Sequence, residues 1–441
     1  MEFSILPHPL KNSLLLLSLA SLLTVFSCRN NAESEYEENE YELTEQGIQE
    51  ELEMMRDPRT GRVPTEKLLL AKYAIEQSKE FARANRLQLL NWIERGPNAD
   101  VAGPFSNSRP NSDITAGRLR GLMIDSTDPT KRTVWVGSVS GGLWKTTNIT
   151  AAPPTWTLVN DFLANMNIAD ICQDPRVGSQ NIMYLCTGEA WYNSAAGQGI
   201  GVFKSTDGGN TWSYLSSTSA YTYCTRILCD YQGNVYLGTR DGLFRSTNGG
   251  TSWTNITPST AASPAIGDLE ISTTGGPARL HMVTGNIYSD QSYRYTDIPA
   301  TATTNSGWNS PVTPFPSYNN LAQIGVCGNT LYAAPTNNSN QVTTIYKSVD
   351  GGANWAATAT SPASSIFGSQ GWIHLTVGIN PANPNECIVG GLDNARTLDG
   401  GNTWSKISVW VGTTGQYAHA DQCDIQWWDG GNKLLLGTDG G

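Results

Sequence analysis

Beyond Asn91 the chain is a succession of short apolar runs separated by polar, Gly-rich breaks. Ile168–Cys172 and Ile182–Gly188 form one pair of such runs, and Cys224–Cys229 and Asn234–Thr239 form the next. After each pair comes a short Gly-aromatic-basic stretch, Gly201-Val202-Phe203-Lys204 or Gly242-Leu243-Phe244-Arg245. Runs this short, rich in β-branched and aromatic residues and bounded by Gly and Asn, predict strands joined by tight turns. Each unit closes on one signature. It reads Ser205-Thr206-Asp207-Gly208-Gly209-Asn210-Thr211-Trp212, and it returns around Asn248 and Trp253, Asp350 and Trp355, and Asp399 and Trp404. Degenerate copies end at Trp156 and Trp308, so successive tryptophans lie 56, 41, 55, 47 and 49 residues apart. Four strands at that period make one blade of a β-propeller.

The predicted fold is therefore all-β, a propeller of about seven four-stranded blades. They span approximately residues 117–160, 165–217, 222–258, 264–314, 319–358, 368–408 and 417 onward. The seventh is incomplete, because the chain reaches Gly441 where a third strand is due, and the sequence reads as part of a longer product. Leu90-Asn91-Trp92-Ile93-Glu94 resembles an isolated outer strand that closes the ring. Before it, Leu68, Leu69, Tyr73, Ile75 and Phe81 fall at roughly helical spacing within Gly47–Arg86, a segment broken by Pro58 and Pro64. One or two short helices are expected there, against the outside of the main domain or as a spacer.

Composition agrees with the pattern: only 15% of residues are charged, while there are 44 Gly, 14 Trp and 17 Tyr. The net charge of −11 is local, since ten Glu lie between Glu33 and Glu53 with no Lys, Arg or Asp among them. Such a run reads as a solvated tether. No basic stripe is present to neutralise phosphates, which argues against nucleic acid as a partner. At the N-terminus Lys11 precedes an apolar run, Leu14–Phe26, that ends in Val25-Phe26-Ser27-Cys28. The run is short for a membrane span and reads as an export signal. Its end resembles a lipobox, with Cys28 lipidated as the mature N-terminus.

The predicted organisation is a leader over 1–28, a tether over 29–55, a helical spacer over 56–89 and a propeller over 90–441. It describes an exported lipoprotein at the outer membrane or cell surface of a Gram-negative bacterium, bound to the membrane by its lipid alone. Replacing Cys28 with Ala is expected to release the protein into the soluble fraction. Fractionation checks this, and a processed variant that stays with the membrane refutes lipidation.

Seven further cysteines, at 172, 186, 224, 229, 327, 387 and 423, sit mostly in apolar runs without zinc-type CxxC spacing. They read as small core residues, with a disulfide between neighbouring strands as the alternative. In the signature, Asp207, Asn248, Asp350 and Asp399 accept hydrogen bonds from turn N–H groups, and the Gly pair permits positive φ. Trp212, Trp253, Trp355 and Trp404 then return on the next strand and bury their rings. An Asp that recurs at the same place in copy after copy of the signature is a turn residue rather than a catalytic acid. His281 and His374, each within an apolar run, read as buried core histidines.

Gly117-Arg118-Leu119-Arg120-Gly121-Leu122, Val136–Lys145, Thr187-Gly188-Glu189 and Tyr417-Ala418-His419-Ala420-Asp421-Gln422 resemble stretches of the bacterial secreted BNR-repeat (Asp-box) proteins related to the N-terminal domain of sortilin. The resemblance covers about Asn91–Gly441 and implies a propeller. Members are often regarded as glycoside hydrolases. Where the xyloglucan-cleaving enzymes carry Arg-Thr-Asp-(Ile/Val)-Gly-Gly with a catalytic Asp, this chain reads Gly137-Ser138-Val139-Ser140-Gly141-Gly142. Val139 cannot activate water, so that mechanism does not carry over. Arg118, Arg120, Arg226 and Arg240 are available for a sialidase-type triad, but the Arg-Ile-Pro motif is missing. The family's His-x-Asp-x-His pattern meets Cys423 at its second His.

Propeller ligands seat at one channel mouth, formed by interblade loops and by loops between second and third strands. The candidate ligand residues there are Glu189, Trp191, Tyr192, Arg240, Asp393, His419 and Asp421. The loop from Glu189 to Gly201 joins a carboxylate to two aromatic rings, a combination suited to sugar. Two function classes follow. One is a binding module for a glycan or protein partner. The alternative is a glycoside hydrolase with a carboxylate pair drawn from Glu189, Asp393 and Asp421. No metal and no cofactor is expected.

Overall fold

The computed structural model describes residues 53, 56–61, 64, 66–84, 117–160, 163–189, 196–261, 263–272, 278–286, 289–313, 315–316, 321–410 and 416–441. Cys28, the acidic run before Glu53, Leu90–Glu94, and Trp191 and Tyr192 of the candidate loop lie outside the described residues. Within the segment predicted to be helical, an α-helix runs over Glu66–Ala84. Leu69 packs on the core of the second blade, whereas Leu70, Tyr73, Ile75 and Phe81 face solvent. No described helix is long and apolar enough to cross a membrane.

The rest is a propeller of antiparallel meanders. The first blade runs Leu119–Ile124, Val134–Ser138, Gly142–Thr146 and Thr157–Leu158 from inside to outside. The second blade begins with Ile168–Gln173, the third with Cys224–Cys229, the fifth with Ala322–Cys327 and the sixth with Thr376–Ile379, each heading a four-stranded sheet. The fourth has three strands, Ile266–Ser272, Arg279–Asn286 and Ser289–Thr296. There the segment carrying the degenerate Trp308 forms no fourth strand among the described residues: Asn309 bridges Tyr295, and the Trp308 indole N–H donates to the Ile256 carbonyl (2.9 Å). A two-stranded sheet, Gln422–Trp428 with Lys433–Thr438, follows the sixth blade. The count corrects the sequence reading: among the described residues there are six blades of three or four strands and one two-stranded sheet, where about seven four-stranded blades with the last incomplete are predicted.

Each inner strand packs on the inner strand of the next sheet, and Gln422–Trp428 packs on Leu119–Ile124 to close the ring. A repeated aspartate couples them. Asp170 accepts the N–H of Ile171 (2.8 Å) and of Ile227 in the next blade (2.9 Å). Asp268 does the same with Leu269 (2.8 Å) and Ile324 (3.0 Å), and Asp424 with Ile425 (2.7 Å) and Leu122 (3.1 Å). At each of these residues the strand register shifts by a bulge. The bulge frees a backbone N–H from the ladder, and the carboxylate satisfies it.

Every full signature turn has one geometry. Asp207 accepts the N–H of Thr211 (2.9 Å) and the hydroxyl of Ser205 (2.8 Å), while Ser205 Oγ accepts the N–H of Gly209 (2.9 Å). Asp350 and Asp399 repeat this, as does Asn248 with Ser252 N–H. Trp212 and Trp355 are 8% and 4% exposed, and each indole N–H donates to the second Gly carbonyl of its turn. Trp253 and Trp404 are half-buried. All seven described cysteines are unbridged, with Cys172 and Cys229 sulfurs 3.3 Å apart across two blades.

Candidate functional site

The inner strands surround an axial cavity of about 380 Å³. In an antiparallel meander the start of each first strand and the end of each second strand share one end of the ring. Arg118 and Arg120 enter the first blade there, Glu189 leaves the second strand of the second blade, and His374 precedes the sixth blade. Cys423 begins the inner strand of the two-stranded sheet, and Asp439 follows its partner strand.

These residues meet. Glu189 is 3% exposed, and its Oε1 accepts from Arg120 Nε (3.2 Å). Its Oε2 accepts from Arg118 Nη2 (3.1 Å) and the Gly197 N–H (3.3 Å). Arg120 also donates to the carbonyl of Ile373 (3.3 Å), tying the first blade to the loop that presents His374. Burial disfavours the Arg120 cation, but Cys423, Glu189 and Asp439 outweigh it and hold the guanidinium charged. Next to it, Cys423 Sγ lies 3.0 Å from Asp439 Oδ1 and 3.8 Å from His374 Nδ1. His374 Nε2 lies 3.6 Å from Asp439 Oδ2. Burial, with Arg120 and Arg118 alongside, pushes the His374 pKa well below its ordinary value, so the ring is neutral. Burial pushes the Cys423 thiol well up.

Deeper in the channel a second cluster surrounds Arg226. Its guanidinium lies 2.8 Å from Glu270, 3.6 Å from Asp268 and 3.8 Å from Asp170. Burial raises Glu270 to about 8 and Asp424 to about 7, Arg226 opposing in both cases. Asp170 and Asp268 shift upward for the same reason. Burial works against the Arg226 cation, yet the surrounding carboxylates hold it charged.

The other candidates divide. His419 sits at the mouth, its Nδ1 2.9 Å from the Ala420 carbonyl and its ring against Gly440. Asp421, with φ of 66°, offers its carbonyl to Cys423 Sγ (3.3 Å) and to the Asp439 N–H (3.1 Å). Arg240 stacks on Tyr223, 3.6 Å from the ring centroid. Asp393 is not brought to Glu189. Its carboxylate accepts from Lys406 Nζ (2.5 Å), in the outermost strand of the sixth blade, and from the Trp410 N–H (2.9 Å). His281 is a core residue, 2.8 Å from the Tyr293 hydroxyl and held neutral by burial at a pKa of about 3. His374 is buried as expected, with its ring beside Cys423 and Asp439. Sequence reasoning passes over Asp170, Asp268, Glu270, Asp424 and Asp439. The available signal is the Asp that recurs third in three inner strands, as in Ile168-Ala169-Asp170, Ile266-Gly267-Asp268 and Gln422-Cys423-Asp424.

No protein-family model matches the chain, and no curated protein matches it in sequence. Among solved structures it is similar to the GH74 xyloglucanase of Xanthomonas campestris, at 17% identity and a TM-score of 0.51. That match covers 74% of this chain and 51% of the other. It is also similar to the extracellular domain of a one-component system of B. thetaiotaomicron, at 11% identity and a TM-score of 0.52, covering 78% of this chain and 39% of that one. The chain thus spans about half of the first and two-fifths of the second. At these identities the likeness shows a shared propeller fold.

Proposed function

We propose that this protein is a surface-exposed, lipid-anchored propeller of Asp-box repeats that binds a glycan or a protein partner at the channel mouth. In this reading the two-stranded sheet is the inner half of a seventh blade. The observation that carries the proposal is the buried Glu189 carboxylate, fixed between Arg118 and Arg120 at the opening of a 380 Å³ cavity. Oriented charged groups of this kind, held rigid by two blades, suit recognition of a polar ligand.

The hydrolase alternative has less support. A glycosidase needs two carboxyl groups facing each other across a sugar, roughly 5–9.5 Å apart. Both Glu189 oxygens are occupied by protein donors, and Asp393 is directed to the outermost strand of its own blade. Printing the mature protein on a glycan array, with a reducing-sugar assay in parallel, separates the readings. Trp191→Ala is expected to abolish ligand retention while leaving the melting temperature unchanged, because a stacking platform serves binding rather than the core. Sugar release that disappears in Glu189→Gln would replace this proposal with the hydrolase.

A further inference from the structure

We propose that His374, Cys423 and Asp439 form a zinc-type metal site at the channel mouth. One ring nitrogen, the thiol sulfur and a carboxylate oxygen lie within 4.8 Å of one another, supplied by the sixth blade and by both strands of the two-stranded sheet. Imidazole nitrogen, thiolate and carboxylate are the donors zinc takes, at about 2.0–2.3 Å. Tetrahedral geometry with those bonds puts neighbouring donors about 3.3–3.7 Å apart. Cys423 Sγ lies 3.0 Å from Asp439 Oδ1 and 3.8 Å from His374 Nδ1, while the other ring nitrogen, Nε2, lies 3.6 Å from Asp439 Oδ2, so the cluster closes on a cation by rotating the imidazole and the carboxylate to present one donor each.

Hydrogen bonding alone leaves the cluster over-supplied with acceptors. A thiol carries one proton, yet Cys423 Sγ has both Asp439 Oδ1 at 3.0 Å and the Asp421 carbonyl at 3.3 Å within reach. On metal binding the Cys423 S–H bond breaks, its proton leaves to solvent, and the S–metal bond forms. Thiolate and carboxylate then balance the dication, so the site is neutral beside Arg120, whose own charge is paired with Glu189. Three protein donors leave a fourth position. Cys423 and Arg120 both line the axial cavity, so that position opens on the channel, where the arginine favours water or an anionic oxygen donor.

The test uses the mature chain stripped with chelator and titrated with Co²⁺, then with Zn²⁺ against a chromophoric competitor. The expected result is one metal per chain and a sulfur-to-cobalt charge-transfer band. Cys423→Ser should lose the band, and Asp439→Asn should lose at least about tenfold in zinc affinity, the range that even outer-shell partners command. Cys423→His supplies nitrogen for sulfur, so it should keep Co²⁺ without the band and secures the result if the serine variant does not fold. Absence of the band in the parent chain, or a band that persists in Cys423→Ser, overturns the site.

Discussion

Trp355→Ala is expected to destabilise the protein by about 3–5 kcal/mol, a large share of the roughly 5–15 kcal/mol that holds a typical domain folded. Trp355 belongs to the fifth blade by sequence and to the fourth by contact. Its ring meets Tyr293 edge-on at 5.3 Å and Phe315 at 4.9 Å, and its N–H donates 3.0 Å to the Gly352 carbonyl. Gly352 has a φ of 85°, and a Cβ there would run into the Tyr293 hydroxyl. The turn and the indole are therefore fitted to the neighbouring blade together, and deleting the ring opens a cavity between two sheets. Trp355→Phe keeps much of the apolar contact and loses the hydrogen bond, so it should cost about 1–2 kcal/mol. Urea unfolding of each variant beside the parent protein measures both. A loss under about 1 kcal/mol for the alanine variant would show that the signature tryptophan does not fasten the blades.

That signature was legible because its physics is local. Ser205, Asp207, Gly209 and Trp212 interact within eight residues, and a repeat of local contacts is visible in one dimension. The fourth blade shows the limit. Around Trp308 no Asp-Gly-Gly turn holds an outer strand, and one bridge takes its place. The mouth was legible only in part. Glu189 and Asp393 both follow second strands, so topology assigns them to the same end. Side-chain direction is set by tertiary partners instead, Arg118 and Arg120 for one and Lys406 for the other. Arg120 and Glu189 are 69 residues apart, and His374 and Cys423 are 49 apart, so no local pattern records either pairing. His374 illustrates the cost: its flanking apolar residues Ile373 and Leu375 are buried as expected, while its own ring reaches Cys423 and Asp439.

The channel makes the last expected result, and its size depends on pH. Arg226 stands among three buried carboxyl groups, Asp170, Asp268 and Asp424, and a half-buried one, Glu270. Removing one partner of a buried ion cluster costs about 3–5 kcal/mol, because the remaining charges lose their compensation. Arg226→Met should show that loss at about pH 8.5. Glu270 and Asp424 titrate at about 8 and about 7 in the folded protein, against roughly 4 in an unfolded chain. A pKa raised by folding contributes stability that is complete below the unfolded value and drains away as pH rises through the folded one. The parent protein should therefore lose stability between about pH 4 and pH 8. The variant should lose more across the same window, since without the guanidinium the carboxyl groups are still harder to ionise. At about pH 5 these two groups are protonated with or without Arg226, and the gap between parent and variant should narrow. Adding Glu270→Gln to the variant removes one of the ionising groups and should recover part of the loss at high pH only. Thermal melts of the three proteins across this range decide the matter. A gap that stays constant with pH, or widens towards acid, would mean that Arg226 serves as packing rather than as the counter-charge of the channel.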